Sequence, residues 1–263
     1  MGVASKRVLR SFHGLAIGGL AFAATAAAPL AATAASGGSA WPFIENGGRF
    51  ADEVAFATST RHGTVYVTRD GRLITDFLDS GGAAAPARIT ETFAGAGIAP
   101  RGAVASVTRV HRFFGADSRS WGPLAAYDTI ALGSPWPGVE VQLAVGGGTV
   151  ERLFVVAPGA DTAAIRVRLE GVDRLVAAPD GGLELATPAG VLRLSPPVAW
   201  QGEGERSQQV DVAYVRAGSS YGFVLGPHDP ALPVVIDPLL QSTFVGSTGS
   251  ETVVAVAAGT DRV

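Results

Sequence analysis

Between residues 149 and 201 the apolar positions fall into short alternating runs, each bounded by a glycine or proline turn signal. Residues 149–157 form the first run. Pro158, Gly159, Ala160 and Asp161 then turn the chain into 165–170, where Ile165, Val167 and Leu169 alternate with Arg166 and Arg168. That is the period of two of a half-buried strand. Residues 183–186 and 191–194 follow, separated by Thr187, Pro188, Ala189 and Gly190, a spacing that suits a hairpin with one apolar face. The stretch reads as a β-meander.

The same pattern continues on both sides. Trp41, Pro42, Phe43, Ile44, Glu45, Asn46, Gly47 and Gly48 lead from aromatics into a turn, and a strand is expected over 53–58. Residues 64–68 and 72–78 flank Arg69, Asp70 and Gly71. Asp-Gly between β-rich runs predicts a hairpin, with positive φ at both turn positions. Residues 80–86 read as a small-residue loop, and strands are expected over 88–93 and 103–110 with a Gly and Pro turn between them. The region 111–138 is less regular. Further on, 198–201, 208–216, 221–225 and 234–236 continue the strands, the last bounded by Pro233 and Pro238. A 3.6-residue apolar stripe is lacking throughout, so the expectation is an all-β protein of sandwich-like antiparallel sheets, built from hairpins and meanders with little helix.

The N-terminus departs from this pattern. Lys6, Arg7 and Arg10 precede an uncharged run over 11–40 rich in Ala, Leu and Gly, with Ala32, Thr33 and Ala34 as a small-x-small cleavage pattern. This is the layout of a secretory signal peptide, assigned to 1–37, with the mature N-terminus expected between Ala35 and Trp41. An uncleaved membrane anchor is the alternative, although Pro29 and the many small residues make the run weakly apolar. Ser5-Lys6-Arg7 only faintly resembles a twin-arginine signal. After leader removal no membrane span is expected, and the protein is placed outside the cytoplasm: secreted, periplasmic or on the cell surface. A β-rich globular domain then covers 41–238, open to division into two sub-domains near residue 138.

Charge and cysteine content narrow the chemistry. The net charge of −3 becomes −6 without the three basic leader residues, Lys6 is the only lysine, and Arg61, Arg69, Arg166, Arg168 and Arg193 are spaced singly. Nucleic-acid binding needs a basic stripe with interleaved aromatics, and none is present. With no cysteine, there is no disulfide framework and no thiolate metal site or nucleophile. His13 lies in the leader, while His62, His111 and His228 lack metal-ligand spacing, so neither metal nor cofactor is expected.

One catalytic string is present. Gly218, Ser219, Ser220, Tyr221 and Gly222 satisfy G-x-S-x-G, but Val210, Val212 and Tyr214 alternate before it and Tyr221, Phe223 and Leu225 after it. A nucleophile elbow needs a strand followed by a helix, so the serines are read as a hairpin tip and no catalytic residue is assigned. His228 and Asp229 also follow in the wrong order for such a triad. Glu140 and Glu151 could face each other across a 146–148 hairpin as a glycosidase pair would, though two surface glutamates are the plainer reading. Trp121, Trp136 and Trp200 are the candidate binding residues, because aromatics beside a loop can stack on sugars, while plugging a core is their commoner use.

The strings LFVVAPGADTAAI, IRVRLEGVDRL, LELATPAGVLRL, PPVAWQ and LPVVIDPLLQSTFVG, with FIENGG, HRFFGADSRSW and PGVEV in the same order, resemble a known domain. It is the uncharacterised N-terminal domain that precedes seven-bladed beta-propeller (SBBP) repeats in secreted bacterial proteins. The resemblance runs from Trp41 to about Gly246. It implies that Ser242 to Gly246 open a first repeat, with 239–263 the start of a truncated β repeat, although Gly249, Ser250 and Glu251 replace the commoner turn. The segment around Leu132 to Trp136 is also longer and richer in proline than the family's usual aromatic strand. The family brings no established active site. Two functions are therefore carried forward: a non-catalytic extracellular module with a structural or adhesion role beside a repeat array, with other surface proteins or glycans as partners, and a secreted carbohydrate-binding or carbohydrate-active protein.

Overall fold

The computed structural model describes residues 41–77, 87–112, 122–188, 190–202, 207–238 and 240–241. Residues 1–37, expected to be a leader, the 80–86 loop, Phe113, Phe114, Trp121 and the part beyond Gln241 of the segment expected to open a repeat lie outside the described residues. The chain is built from β1 (Phe43–Glu45), β2 (Val54–Thr60), β3 (Gly63–Thr68), β4 (Leu73–Phe77), β5 (Arg88–Phe93), β6 (Gly97–Ala105), β7 (Val110–Arg112), β8 (Gly122–Leu124), β9 (Ala126–Trp136), β10 (Val139–Gly146) and β11 (Thr149–Val156). After a short 3-10 turn (Thr162–Ala164) come β12 (Val167–Glu170), β13 (Arg174–Ala177), β14 (Leu183–Thr187), β15 (Gly190–Leu194), β16 (Val198–Gln201), β17 (Gln208–Val210), β18 (Val212–Ala217), β19 (Ser220–Leu225), β20 (Val234–Asp237) and β21 (Leu240–Gln241). All the strand pairings are antiparallel.

The all-β expectation holds, but the layers arise from one curled sheet. Its order is β17-β16-β20-β11-β10-β9-β1-β2-β3-β4-β5-β12-β19-β18, with β6 also pairing to β9. The two ends of this path, β17 and β18, are consecutive in the chain and separated only by Asp211. The edges therefore converge, and the sheet is barrel-like and nearly closed. A second sheet, β13-β14-β15-β21, adds Leu175, Leu183, Leu185, Leu192 and Leu194 to the core that fills the barrel. Two hydrogen bonds tie it to the edge strand: Tyr214 Oη donates to the Ser195 carbonyl at 2.9 Å, and Arg216 Nη1 to that of Leu175 at 2.9 Å.

The alternation over 165–170 places Ile165, Val167 and Leu169 in the core and leaves Arg166, Arg168 and Glu170 exposed. The meander is corrected, however. β11 pairs with β10 and β20, whereas β12 pairs with β5 and β19 on the other side of the barrel, and of the strands between 149 and 201 only β13 to β15 lie side by side in sequence order. Apolar periodicity specifies which face of a strand is buried but not which strand lies beside it. The strands on either side of residue 138 pair directly, Trp136 opposite Val139, so the division considered there falls inside a hairpin.

The Asp-Gly hairpin forms with a shifted turn. The Gly71 amide donates to the Thr68 carbonyl and the Thr68 amide to that of Arg72, so Arg69 and Asp70 occupy the turn's centre and Gly71, at φ 79°, the position after it. This is the three-residue loop in which glycine supplies the left-handed bulge. The Thr68 hydroxyl donates to Asp70, and that bond, ahead of the nearby Arg72 charge, holds the Asp70 carboxyl below the usual range.

Candidate functional site

Outer-face residues of β1, β2 and β3 form the floor of a surface cleft. Cross-strand pairing sets Ile44 opposite Ala57, Ala57 opposite Tyr66, and Ser59 opposite Thr64. Directly opposed residues point to the same side, so these five share one face. Phe43, Val65 and Val67, of the other parity, point into the core. The β7–β8 hairpin contributes Val110, His111 and Leu124, and the loop after β1 contributes Gly47, Gly48, Arg49 and Phe50. The cleft measures about 750 Å³.

Asn46 gives that loop its shape. Its Oδ1 accepts from the amides of Gly48 at 3.0 Å and Phe50 at 3.2 Å, and its Nδ2 lies 3.2, 3.0 and 3.0 Å from the carbonyls of Phe50, Ala51 and Val54. One side chain thus satisfies the backbone groups of a tight excursion that no ladder reaches. Phe50 is held edge-on to Tyr66 with centroids 5.4 Å apart, and the Arg49 guanidinium lies 5.5 Å from the centre of the Phe50 ring. Trp41 stands at the rim, 57% exposed, while its carbonyl accepts from the Thr58 hydroxyl at 2.6 Å. Glu45, also exposed, lines the same cleft.

A second polar cluster is sealed inside the barrel. Glu91 on β5 and Arg152 on β11, both side chains 2% exposed, form an ion pair between opposite walls. Arg152 Nε donates to the two Glu91 oxygens at 3.0 and 2.9 Å, Nη2 adds a further bond, and Nη1 reaches the Val150 carbonyl at 3.1 Å. Tyr221 on β19 donates to Glu91 Oε2 at 3.2 Å. Burial opposes the charge on Arg152, but the Glu91 carboxylate outweighs it and holds the guanidinium above its ordinary pKa. Burial, followed by the Glu91 charge, pushes the Tyr221 phenol well above its ordinary value, and burial likewise raises Tyr214.

The linkage sign follows. A tyrosine whose folded pKa is raised stabilises the fold fully below the unfolded value of about 10, and that contribution is lost as pH rises above it toward the folded pKa. Urea unfolding measured from pH 8 to pH 11 is therefore expected to show stability falling above about pH 10. Tyr221→Phe should flatten the fall and Tyr214→Phe/Tyr221→Phe should flatten it further. A slope indifferent to both substitutions contradicts this burial.

The tryptophans named from sequence separate from one another. Trp136 is corrected from binding candidate to core residue: it is 5% exposed and packs on Phe154 and Phe93, with centroids 6.3 and 6.5 Å away. Trp200 is half-buried against Ala144, Leu153 and Val235 on the barrel's outer face. Trp121 lies outside the described residues. Glu140 stands opposite Val155 and Glu151 opposite Ala144, four positions apart along β10, so roughly 13 Å of strand separates them and they do not face each other.

The G-x-S-x-G string is a hairpin tip. Ala217 pairs with Ser220, leaving Gly218, at φ 59°, and Ser219 as the loop. Ser220 begins β19 and His228 lies beyond its far end, so the length of the strand, roughly 16 Å, stands between them. Among the described residues no group of three or more His, Asp or Glu could hold a metal ion, and no helix is long and apolar enough to cross a membrane.

No motif in the sequence marks Arg49, Phe50 or Tyr66 as a site residue, and Trp41 stands there only as the lead-in to a turn. The available signal was Asn46 before two glycines between aromatics, a pattern that holds a loop in place beside ring faces.

The fold and its two polar clusters define an all-β module whose interior ion pair is spent on the barrel itself and whose open chemistry lies on the outer wall. The chain belongs to the DUF7948 family, a domain of unknown function whose family model matches residues 43–239. No curated protein and no solved structure matches it.

Proposed function

We propose that the chain is a non-catalytic extracellular module with a structural or adhesion role, lying N-terminal to a β-propeller-type repeat array. The observation that carries this reading is the consumption of the barrel's buried ionic chemistry by its own walls: Glu91 is occupied by Arg152 and Tyr221. The secretory leader and the resemblance to the domain preceding SBBP repeats add location and context. The leading alternative for catalysis, the serine at the G-x-S-x-G string, sits at a hairpin tip without a helix behind it.

The test is hydrolysis of p-nitrophenyl acetate by the purified mature chain and its Ser220→Ala variant. Both are expected to match buffer with bovine albumin as a protein control, and Ser220→Ala should change stability by no more than about 0.5 kcal/mol. Turnover that disappears in Ser220→Ala overturns the reading.

A further inference from the structure

We propose that the cleft on the outer wall of β1, β2 and β3 binds a neutral pyranosyl oligosaccharide. The inference rests on the non-catalytic reading above and names the ligand class for its adhesion role. Three features of the cleft converge on that chemistry.

The first is ring surface. Trp41 offers an exposed indole at the rim, and Phe50 and Tyr66, which meet edge-to-face, line the same cleft. The axial C–H groups of a pyranose carry partial positive charge and lie flat on the electron-rich face of an aromatic ring. The second is the balance of charge. One carboxylate, Glu45, and one guanidinium, Arg49, line the same space. Their fixed charges offset, so neither an anion nor a cation is favoured as such, while together they offer the acceptor and the donors that sugar hydroxyls, themselves both donor and acceptor, can use. Ser59, Thr64 and Tyr66 add hydroxyls of the same dual character.

The third is preorganisation. The Asn46 bonds hold the loop bearing Arg49 and Phe50, the Thr58 hydroxyl holds the Trp41 carbonyl, and the floor is pleated sheet. A site whose rings are already placed loses little freedom on binding. Its volume of about 750 Å³ falls within the range of small-molecule sites.

The experiment is isothermal titration of the mature chain with cellohexaose, mannohexaose, maltohexaose, laminarihexaose and chitohexaose, with hexagalacturonate as the anionic arm. At least one neutral hexasaccharide is expected to bind. Trp41→Ala should weaken it about tenfold or more, and Glu45→Gln and Arg49→Gln should each weaken it severalfold. Trp200→Ala, outside the cleft, should leave it unchanged. Ser59→Trp, which fills the floor while keeping Trp41, Glu45, Arg49, Phe50, Thr64 and Tyr66, should also abolish binding, and near-ultraviolet circular dichroism should show each variant folded. No binding by any neutral member at millimolar concentration, binding of hexagalacturonate alone, or binding indifferent to Trp41→Ala and Ser59→Trp overturns the assignment. Chromatography of the recovered sugar separates the two readings: cleavage into shorter products defeats the non-catalytic reading, whereas an intact but unbound sugar defeats only the glycan assignment.

Discussion

Glu91→Ala is expected to destabilise the protein by about 3–5 kcal/mol, a large share of the stability of an ordinary domain. The physical reason is asymmetric. The intact pair offsets the desolvation of both ions by close contact, with three guanidinium bonds to the carboxylate and one from Tyr221. Removing the carboxylate leaves the Arg152 charge sealed in the barrel with Val150 as its remaining bonded partner, and Tyr221 without its acceptor. Replacing both ions with apolar residues of similar volume, Glu91→Leu with Arg152→Met, should return most of the loss, because neither desolvated charge then remains. Urea unfolding of the parent, Glu91→Leu, Arg152→Met and the double variant measures the coupling. A cost below about 1 kcal/mol for Glu91→Ala would place the pair in solvent, where such bridges contribute little.

Phe154→Ala should cost a comparable amount, about 3–5 kcal/mol. Phe154 is fully buried on β11, with Phe223 on β19 at 5.0 Å, Trp136 on β9 at 6.3 Å and Phe93 on β5 at 6.3 Å between ring centroids. These rings come from two walls of the curled sheet, β9 and β11 on one and β5 and β19 on the other, so the truncation opens a cavity where the walls meet, and a hydrogen-bonded barrel cannot contract to fill it. Phe154→Leu, closer in volume, should cost less. Thermal or urea unfolding distinguishes the two, and equal costs would show that ring packing is not what holds this centre together.

Local signals carried much of the secondary structure. The strand expected over 88–93 matches β5, that over 149–157 overlaps β11, and the one over 198–201 matches β16. Each has uninterrupted alternation or a short apolar run between turn residues. Where the pattern was interrupted, strands were missed. β9 runs for eleven residues through Gly133, Ser134 and Pro135, and its pairing with β10 shifts register between Trp136 and Gly133. That irregularity accommodates a proline, which has no amide to donate to the ladder. β6 likewise begins at Gly97 and continues through Pro100, where a turn was expected, because its pairing with β9 is also irregular between Ile98 and Arg101.

The candidate site was less legible than the strands. Tryptophan content pointed to Trp136 and Trp200, yet a ring's type does not specify the face of the sheet on which it will lie. Trp136 entered the core with Phe93 and Phe154, while Tyr66 and Phe50, unremarked in the sequence, met across a pinned loop. Similarly, no local feature joins Glu91 to Arg152, which are 61 residues apart. Each reads alone as an ordinary polar position in a strand.

By itself the sequence determined the antiparallel all-β class, the inward face of strands such as 165–170, the Asp-Gly hairpin and the serine turn at 218–219. All of these depend on side-chain period and on which residues tolerate a turn, and both act within a few positions along the chain. The tertiary structure alone decided that β11 and β12 separate to different sides of one barrel, that β17 and β18 bring its two edges together, and that Glu91 meets Arg152. It also decided that Trp41, Phe50 and Tyr66 share a cleft. The physical reason is that strand neighbours are selected by the fit of whole faces after the sheet curls, and backbone ladders are nearly indifferent to the residues they join.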